Sequence, residues 1–157
     1  MSDPILGLPE GLAEFLLKAK RRTYAAGAPP TASSRPSSKD LGWAEGGFSY
    51  LDSYFGSRDF LGEEVVLFQG KPVWGMNYHG LSLAPEAELE GMVPCLLGAL
   101  MEVPLEAPYR GPARFSLGDC EYRCRWEGGL GSFLGEEEIR KGGRLVYTLR
   151  FHGGAID

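Results

Sequence analysis

Phe60-Leu61-Gly62-Glu63-Glu64 and Phe133-Leu134-Gly135-Glu136-Glu137 are the same five residues, 73 positions apart. The match continues without a gap. Gly70 falls on Gly143, Val73 on Val146, and His79-Gly80 on His152-Gly153. Nine identities fall in the 22 positions from 60 to 81, where residue usage alone gives roughly one or two. Each position in one half therefore has a second reading in the other.

Upstream, at an offset of 72, the run Phe48, Tyr50, Asp52, Tyr54 falls on Cys120, Tyr122, Cys124, Trp126. Both alternate with period two, as half-buried strands do. At an offset of 80, Glu10-Gly11-Leu12 falls on Glu90-Gly91-Met92, and Leu16-Leu17 falls on Leu96-Leu97. The expected fold is α+β, a single domain over residues 1–157 with halves at about 8–82 and 88–157. Each half is a helix, a strand and a hairpin (αβββ). Together they make one curved antiparallel sheet of about six strands with helices packed on it. The first helix is expected from Pro9, with Leu12, Phe15, Leu16 and Ala19 on its packed face. Pro94 restricts the second helix to a regular run from about Val93 onward.

At 157 residues and 43% apolar content, the chain can bury one core. A net charge of -5 argues against a broad nucleic-acid surface, because phosphate binding needs clustered positive charge. The cations Lys18, Lys20, Arg21 and Arg22 close the first helix, where they are expected to complement its dipole and stay in water. With no signal-peptide pattern and no apolar run of membrane length, the expected location is cytoplasmic, without membrane contact. Cys95, Cys120 and Cys124 are odd in number. The last two, about 13 Å apart along one strand, read as reduced core residues. His79 and His152 leave their strands just before glycine, and no metal-ligand spacing is present. Neither a metal nor a cofactor is expected.

The strand of residues 118–127 sets the phase of the sheet. Cys120, Tyr122, Cys124 and Trp126 alternate with Glu121, Arg123, Arg125 and Glu127, so the first set faces the core. Transferred to the first half, this phase points Phe48, Tyr50, Asp52 and Tyr54 inward. Glu64 shares a side with Val66 and Phe68, Glu137 shares one with Ile139, and the returning strand turns Pro72, Trp74, Met76 and Tyr78 inward. The inner face thus carries aromatic walls and three carboxylates, Asp52, Glu64 and Glu137. A carboxylate on such a face must be paired, hydrogen-bonded or protonated. The Pro/Ser-rich connection of residues 26–47 is longer than most loops in compact domains and is either functional or disordered. It carries Arg35 beside a proline, and the corresponding connection of the second half carries Arg110. The two guanidinium groups either clamp an anion together or each bind a carboxylate of their own half.

Several runs together resemble a known pattern. They are Ser34-Arg35-Pro36, Tyr50-Leu51-Asp52-Ser53-Tyr54-Phe55-Gly56, Gly70-Lys71-Pro72-Val73-Trp74, Pro108-Tyr109-Arg110-Gly111-Pro112 and Phe151-His152-Gly153-Gly154. The pattern is that of an uncharacterised family of small bacterial domains, found alone or C-terminal to an XRE-type helix-turn-helix in proteins labelled as transcriptional regulators. The resemblance implies little chemistry. No helix-turn-helix precedes the first helix here, so DNA binding is not carried over.

Three functions fit these residues. The first is a ligand-binding or sensor domain for a small polar or anionic molecule, with Tyr50, Trp74, Tyr78 and Tyr122 supplying area and Arg35, Asp52, Glu64 and Arg110 orienting the ligand. The second is a hydrolase- or isomerase-type enzyme with Asp52 or Glu64 as general base. The third is an interaction module, possible as a homodimer, since Leu51, Phe55, Val65 and Leu67 occupy the outward phase.

Overall fold

The computed structural model describes residues 7–157, so the first six residues of the expected domain lie outside the described part. In chain order the elements are α1 (Leu12–Arg22), β1 (Lys39–Glu45), β2 (Phe48–Gly56), β3 (Phe60–Phe68) and β4 (Lys71–Ser82), then α2 (Met92–Met101), β5 (Arg114–Leu117), β6 (Cys120–Gly129), β7 (Ser132–Lys141) and β8 (Arg144–Ala155). All eight strands form one antiparallel sheet in the order β1-β2-β3-β4-β8-β7-β6-β5. The α+β class holds. The count is eight strands rather than about six, and each half is a helix followed by four strands.

The two additional strands arise in segments read as connections. β1 has only Leu41 and Trp43 as inward apolar residues, too few for a visible period, yet it pairs along β2 from Lys39 opposite Tyr54 to Glu45 opposite Phe48. On its outward side Asp40 accepts hydrogen bonds from the Ser34 backbone N–H (2.9 Å), Ser38 Oγ (2.7 Å) and Ser53 Oγ (2.8 Å). Burial alone would raise the pKa of Asp40, but these hydrogen bonds outweigh it and hold the group at about 2. The Pro/Ser-rich connection is thereby folded onto β1. β5 has four residues, below the length at which alternation can be read.

The halves meet at the centre, where Tyr78 of β4 lies opposite Phe151 of β8, its own counterpart at the 73-residue offset. The hairpins also share their irregularities. The register shifts between Val66 and Leu67 in one and between Ile139 and Arg140 in the other. That bulge places Pro72 opposite Leu67, so Pro72 is exposed rather than inward. The two-residue turns are Gln69-Gly70 (φ 50° and 79°) and Gly142-Gly143 (φ 56° and 82°), positive at both positions as the twist of a tight hairpin requires.

α1 and α2 both lie on the inner face. α1 buries Leu12, Phe15, Leu16, Ala19 and Lys20, and begins at Leu12 rather than Pro9. α2 buries Met92, Cys95, Leu96, Ala99 and Leu100, with Pro94 in its first turn, where its missing N–H leaves no bond unmade. Beneath them the sheet contributes Tyr50, Val66, Trp74, Met76, Tyr122, Ile139 and Leu149, all buried. No helix among the described residues is long and apolar enough to cross a membrane.

Candidate functional site

Polar side chains meet in the middle of this apolar layer. Glu137, on the inner face of β7, is 1% exposed. Its Oε1 accepts from Arg110 Nη2 (2.6 Å) and the Tyr147 hydroxyl (2.7 Å), and its Oε2 accepts from Arg110 Nε (3.2 Å) and the Tyr122 hydroxyl (2.5 Å). Both oxygens of one carboxylate are thus filled. Burial alone would make Arg110 easier to deprotonate, but Glu137 beside it raises its pKa well above the ordinary value, so the guanidinium stays charged. Tyr122 and Tyr147 are pushed well above the ordinary tyrosine pKa by burial and by Glu137, which keeps both hydroxyls as donors.

The first half is built on the same plan and filled differently. Glu64 of β3 is 2% exposed and accepts from Lys20 Nζ (2.7 Å) and the Tyr50 hydroxyl (2.5 Å), both at Oε1. Asp52 of β2, its cross-strand partner, accepts from the Tyr78 hydroxyl (2.5 Å) at Oδ1. Two carboxylates therefore share three hydrogen bonds, whereas Glu137 alone receives four. The position of Asp52 in β6 is held by Cys124, opposite Glu137, a thiol that burial pushes up to about 12 and that carries no charge. Asp52 is raised to about 7, first by burial and then by the neighbouring Glu64 charge, with the Tyr78 hydrogen bond, Lys20 and Arg110 pulling the other way.

Among the described residues, Asp52 Oδ2 and Glu64 Oε2 accept no hydrogen bond. Both residues line a cavity of about 20 Å³ with Lys20, Tyr24, Tyr50, Tyr109 and Arg110. Asp52 also borders a second void of about 10 Å³ beside Tyr54, Phe60 and Tyr78. Each has about the room of a single water molecule. Tyr24, half-buried, walls both.

The connection after α2 ties the two clusters together through three consecutive residues. The Tyr109 carbonyl accepts from Lys20 Nζ (2.7 Å), the Arg110 guanidinium holds Glu137, and the Gly111 N–H donates to the Tyr122 hydroxyl (2.9 Å). Arg110 also lies 5.5 Å over the Tyr78 ring, whose hydroxyl is the donor to Asp52. Backbone clearance is built in at matching places. A Cβ at Gly62 would run into Tyr78, and one at Gly135 into Phe151.

Of the residues expected from sequence, Tyr50, Asp52, Glu64, Tyr78 and Arg110 converge on this chamber. Tyr122 takes part through Glu137. Trp74 is fully buried, donates its indole N–H to the Leu130 carbonyl at 3.0 Å, and meets the chamber only through Lys20, whose Nζ lies 5.9 Å from its ring. Arg35 is not brought to Arg110. It donates to Ser53 O and Oγ (3.1 and 2.9 Å) and lies 4.7 Å from the Phe55 ring, on the outward phase of β2. The anion clamp of two arginines does not form, and Arg110 instead serves the carboxylate of its own half.

Lys20, expected in water, is 7% exposed. The signal was present, because Lys20 stands four residues after Leu16 and eight after Leu12, on the buried stripe of α1. Tyr109, Tyr24 and Tyr147 were also missed as site residues. No group of three or more histidine, cysteine, aspartate or glutamate side chains among the described residues could hold a metal ion.

Residues 52–156 match the family described as a domain of unknown function, DUF5680. The chain belongs to this family. The DUF5680 match takes in Asp52, Glu64, Arg110 and Glu137, while Lys20 and Tyr50 lie before it. No curated protein matches the chain, and no solved structure does.

Proposed function

We propose that this domain binds a small polar molecule through the chamber between Lys20, Asp52, Glu64 and Arg110, and works as a ligand-binding or sensor domain. One observation carries the reading. Two almost fully buried cross-strand carboxylates line the same cavity and receive three side-chain hydrogen bonds between them, while Glu137 in the other half receives four. Buried carboxylates ordinarily collect several donors, so a pair with few of them beside a cavity is a place that accepts more. The cavity is far smaller than the several hundred Å³ that house a whole ligand. It takes a polar head group, and a larger ligand enters by displacing Tyr24. The resemblance to bacterial domains carried behind helix-turn-helix modules supports the sensor role by analogy and fits a cytoplasmic protein. The test is a thermal-shift screen of small polar metabolites against the wild type and Asp52→Ala. A hit that raises the melting temperature of the wild type alone supports the reading. If Asp52→Ala is itself grossly unstable, Asp52 is only the acceptor for Tyr78 and the reading fails.

A second reading has its own support. Asp52 and Glu64 line one cavity, and a carboxyl titrating at about 7 suits proton transfer at neutral pH. In this reading Asp52 is the general acid or base of a hydrolase- or isomerase-type reaction. Following any binding hit by NMR for conversion tests it. Turnover that depends on a group titrating near neutrality, and that Asp52→Asn removes, is the expected result.

A further inference from the structure

We propose that Lys20 is a covalent nucleophile, whose amine condenses with the carbonyl carbon of a small aldehyde or 2-oxo acid in the chamber to form an imine. The proposal rests on the chamber being a binding site and names the chemical class it takes.

Lys20 stands apart from the other lysines. Of the five in the chain, Lys18, Lys39 and Lys71 are exposed and Lys141 is half-buried. Two partners, Glu64 Oε1 and the Tyr109 carbonyl, occupy two of the three Nζ donor positions. Among the described residues the third has no acceptor, and Lys20 borders the cavity. Burial lowers the pKa of the amine against the pull of Glu64, and the Arg110 charge lowers it further. A desolvated lysine beside another cation is the usual arrangement for an imine-forming amine.

The groups needed for condensation surround this nitrogen. Glu64, at 2.7 Å, is positioned to take the proton that the ammonium must lose. Asp52, facing the same cavity, is positioned to protonate the carbonyl oxygen. The nitrogen lone pair forms the C–N bond while the carbonyl π pair moves to oxygen, which takes the Asp52 proton to give a carbinolamine. The nitrogen passes its second proton to the departing hydroxyl by way of the carboxylates. Water leaves, and the nitrogen lone pair closes C=N. Amine and carbonyl are thus converted to imine and water with no oxidant or reductant. Arg110 spends Nε and Nη2 on Glu137 and makes no other side-chain hydrogen bond among the described residues. Its Nη1 is left to hold the carboxylate of a 2-oxo acid. Two voids of about one water each hold only about two non-hydrogen atoms, so even a carbonyl compound of two or three carbons enters by displacing Tyr24.

The test is reductive trapping. The intact chain is incubated at pH 7 with glyoxylate or with acetaldehyde and cyanoborohydride, and the adducts are mapped by peptide mass spectrometry. The expected result is an adduct on Lys20 ahead of every exposed lysine, with Asp52→Asn reducing the Lys20 adduct and leaving those on Lys18, Lys39 and Lys71 unchanged. An adduct on Lys20 no greater than that on the exposed lysines overturns the proposal. The two readings separate cleanly. A ligand whose thermal shift depends on Asp52, in a protein that gives no Lys20 adduct, sinks the imine and leaves the binding site standing. The absence of any such shift across the screen sinks the site itself.

Discussion

Glu64 and Glu137 occupy the same place in two hairpins that share Phe-Leu-Gly-Glu-Glu, and both take a hydrogen bond of 2.5 Å from the tyrosine of the preceding strand. They differ in their cation. Glu137 has an arginine fork across both oxygens, and a fork leaves nothing over. Glu64 has a lysine, a point charge on one oxygen, and a second carboxylate beside it. One scaffold thus holds a finished ion pair and an unfinished one, and the proposed site is built on the second.

The comparison can be broken at four places. The largest effect is expected for Glu137→Ala, which strands Arg110 and two tyrosine hydroxyls in the core. A loss of about 4 kcal/mol, measured by urea denaturation, follows from removing one partner of a buried pair. Lys20→Leu imports the residue that the second half carries at the matching helix position, Leu100, and leaves Glu64 without its cation. Its cost should be smaller, about 3 kcal/mol by the same measurement, because the cavity admits water to the bereft carboxylate. If Lys20→Leu costs more than Glu137→Ala, the open half is the structural one and the comparison is inverted.

Asp52→Asn tests the unfinished pair through pH. The folded carboxyl titrates at about 7, above its ordinary 3.8. Between those values the folded chain keeps a proton that the unfolded chain releases, so wild-type stability falls as pH rises from about 4 to 7. The substitution should remove that slope, leaving stability nearly unchanged at pH 4 and clearly higher than that of the wild type at pH 8, as read from denaturation curves across the range. The smallest effect is expected at Arg35→Ala. On the outward side of β2 it loses its hydrogen bonds to Ser53, at a cost of about 1 kcal/mol, and should leave ligand-induced thermal shifts untouched.

The inward phase of the site strands was legible because alternation in β6 is clean and the repeat carries it to Asp52, Tyr50 and Glu64. What escaped has physical reasons. β1 spends its outward positions on Asp40 and Gly42, so its period shows in two residues only. Arg35 and Arg110 look alike as arginines beside proline, but which face each connection crosses depends on contacts far away in the chain. Lys20 was hidden by its neighbours. A run of four cations at a helix end reads as solvent-facing, and only the spacing from Leu12 and Leu16 sets one of them apart.

The three-residue clasp at Tyr109-Arg110-Gly111 bears on how the chain folds. The bond from Lys20 to Tyr109 spans 89 residues, while each tyrosine-glutamate pair closes within a hairpin unit, over 14 residues in one half and 15 in the other. Loop-closure entropy favours the short closures first. The chamber is then expected to close last, after both four-stranded halves of the sheet exist, so weakening the clasp should speed unfolding more than it slows folding.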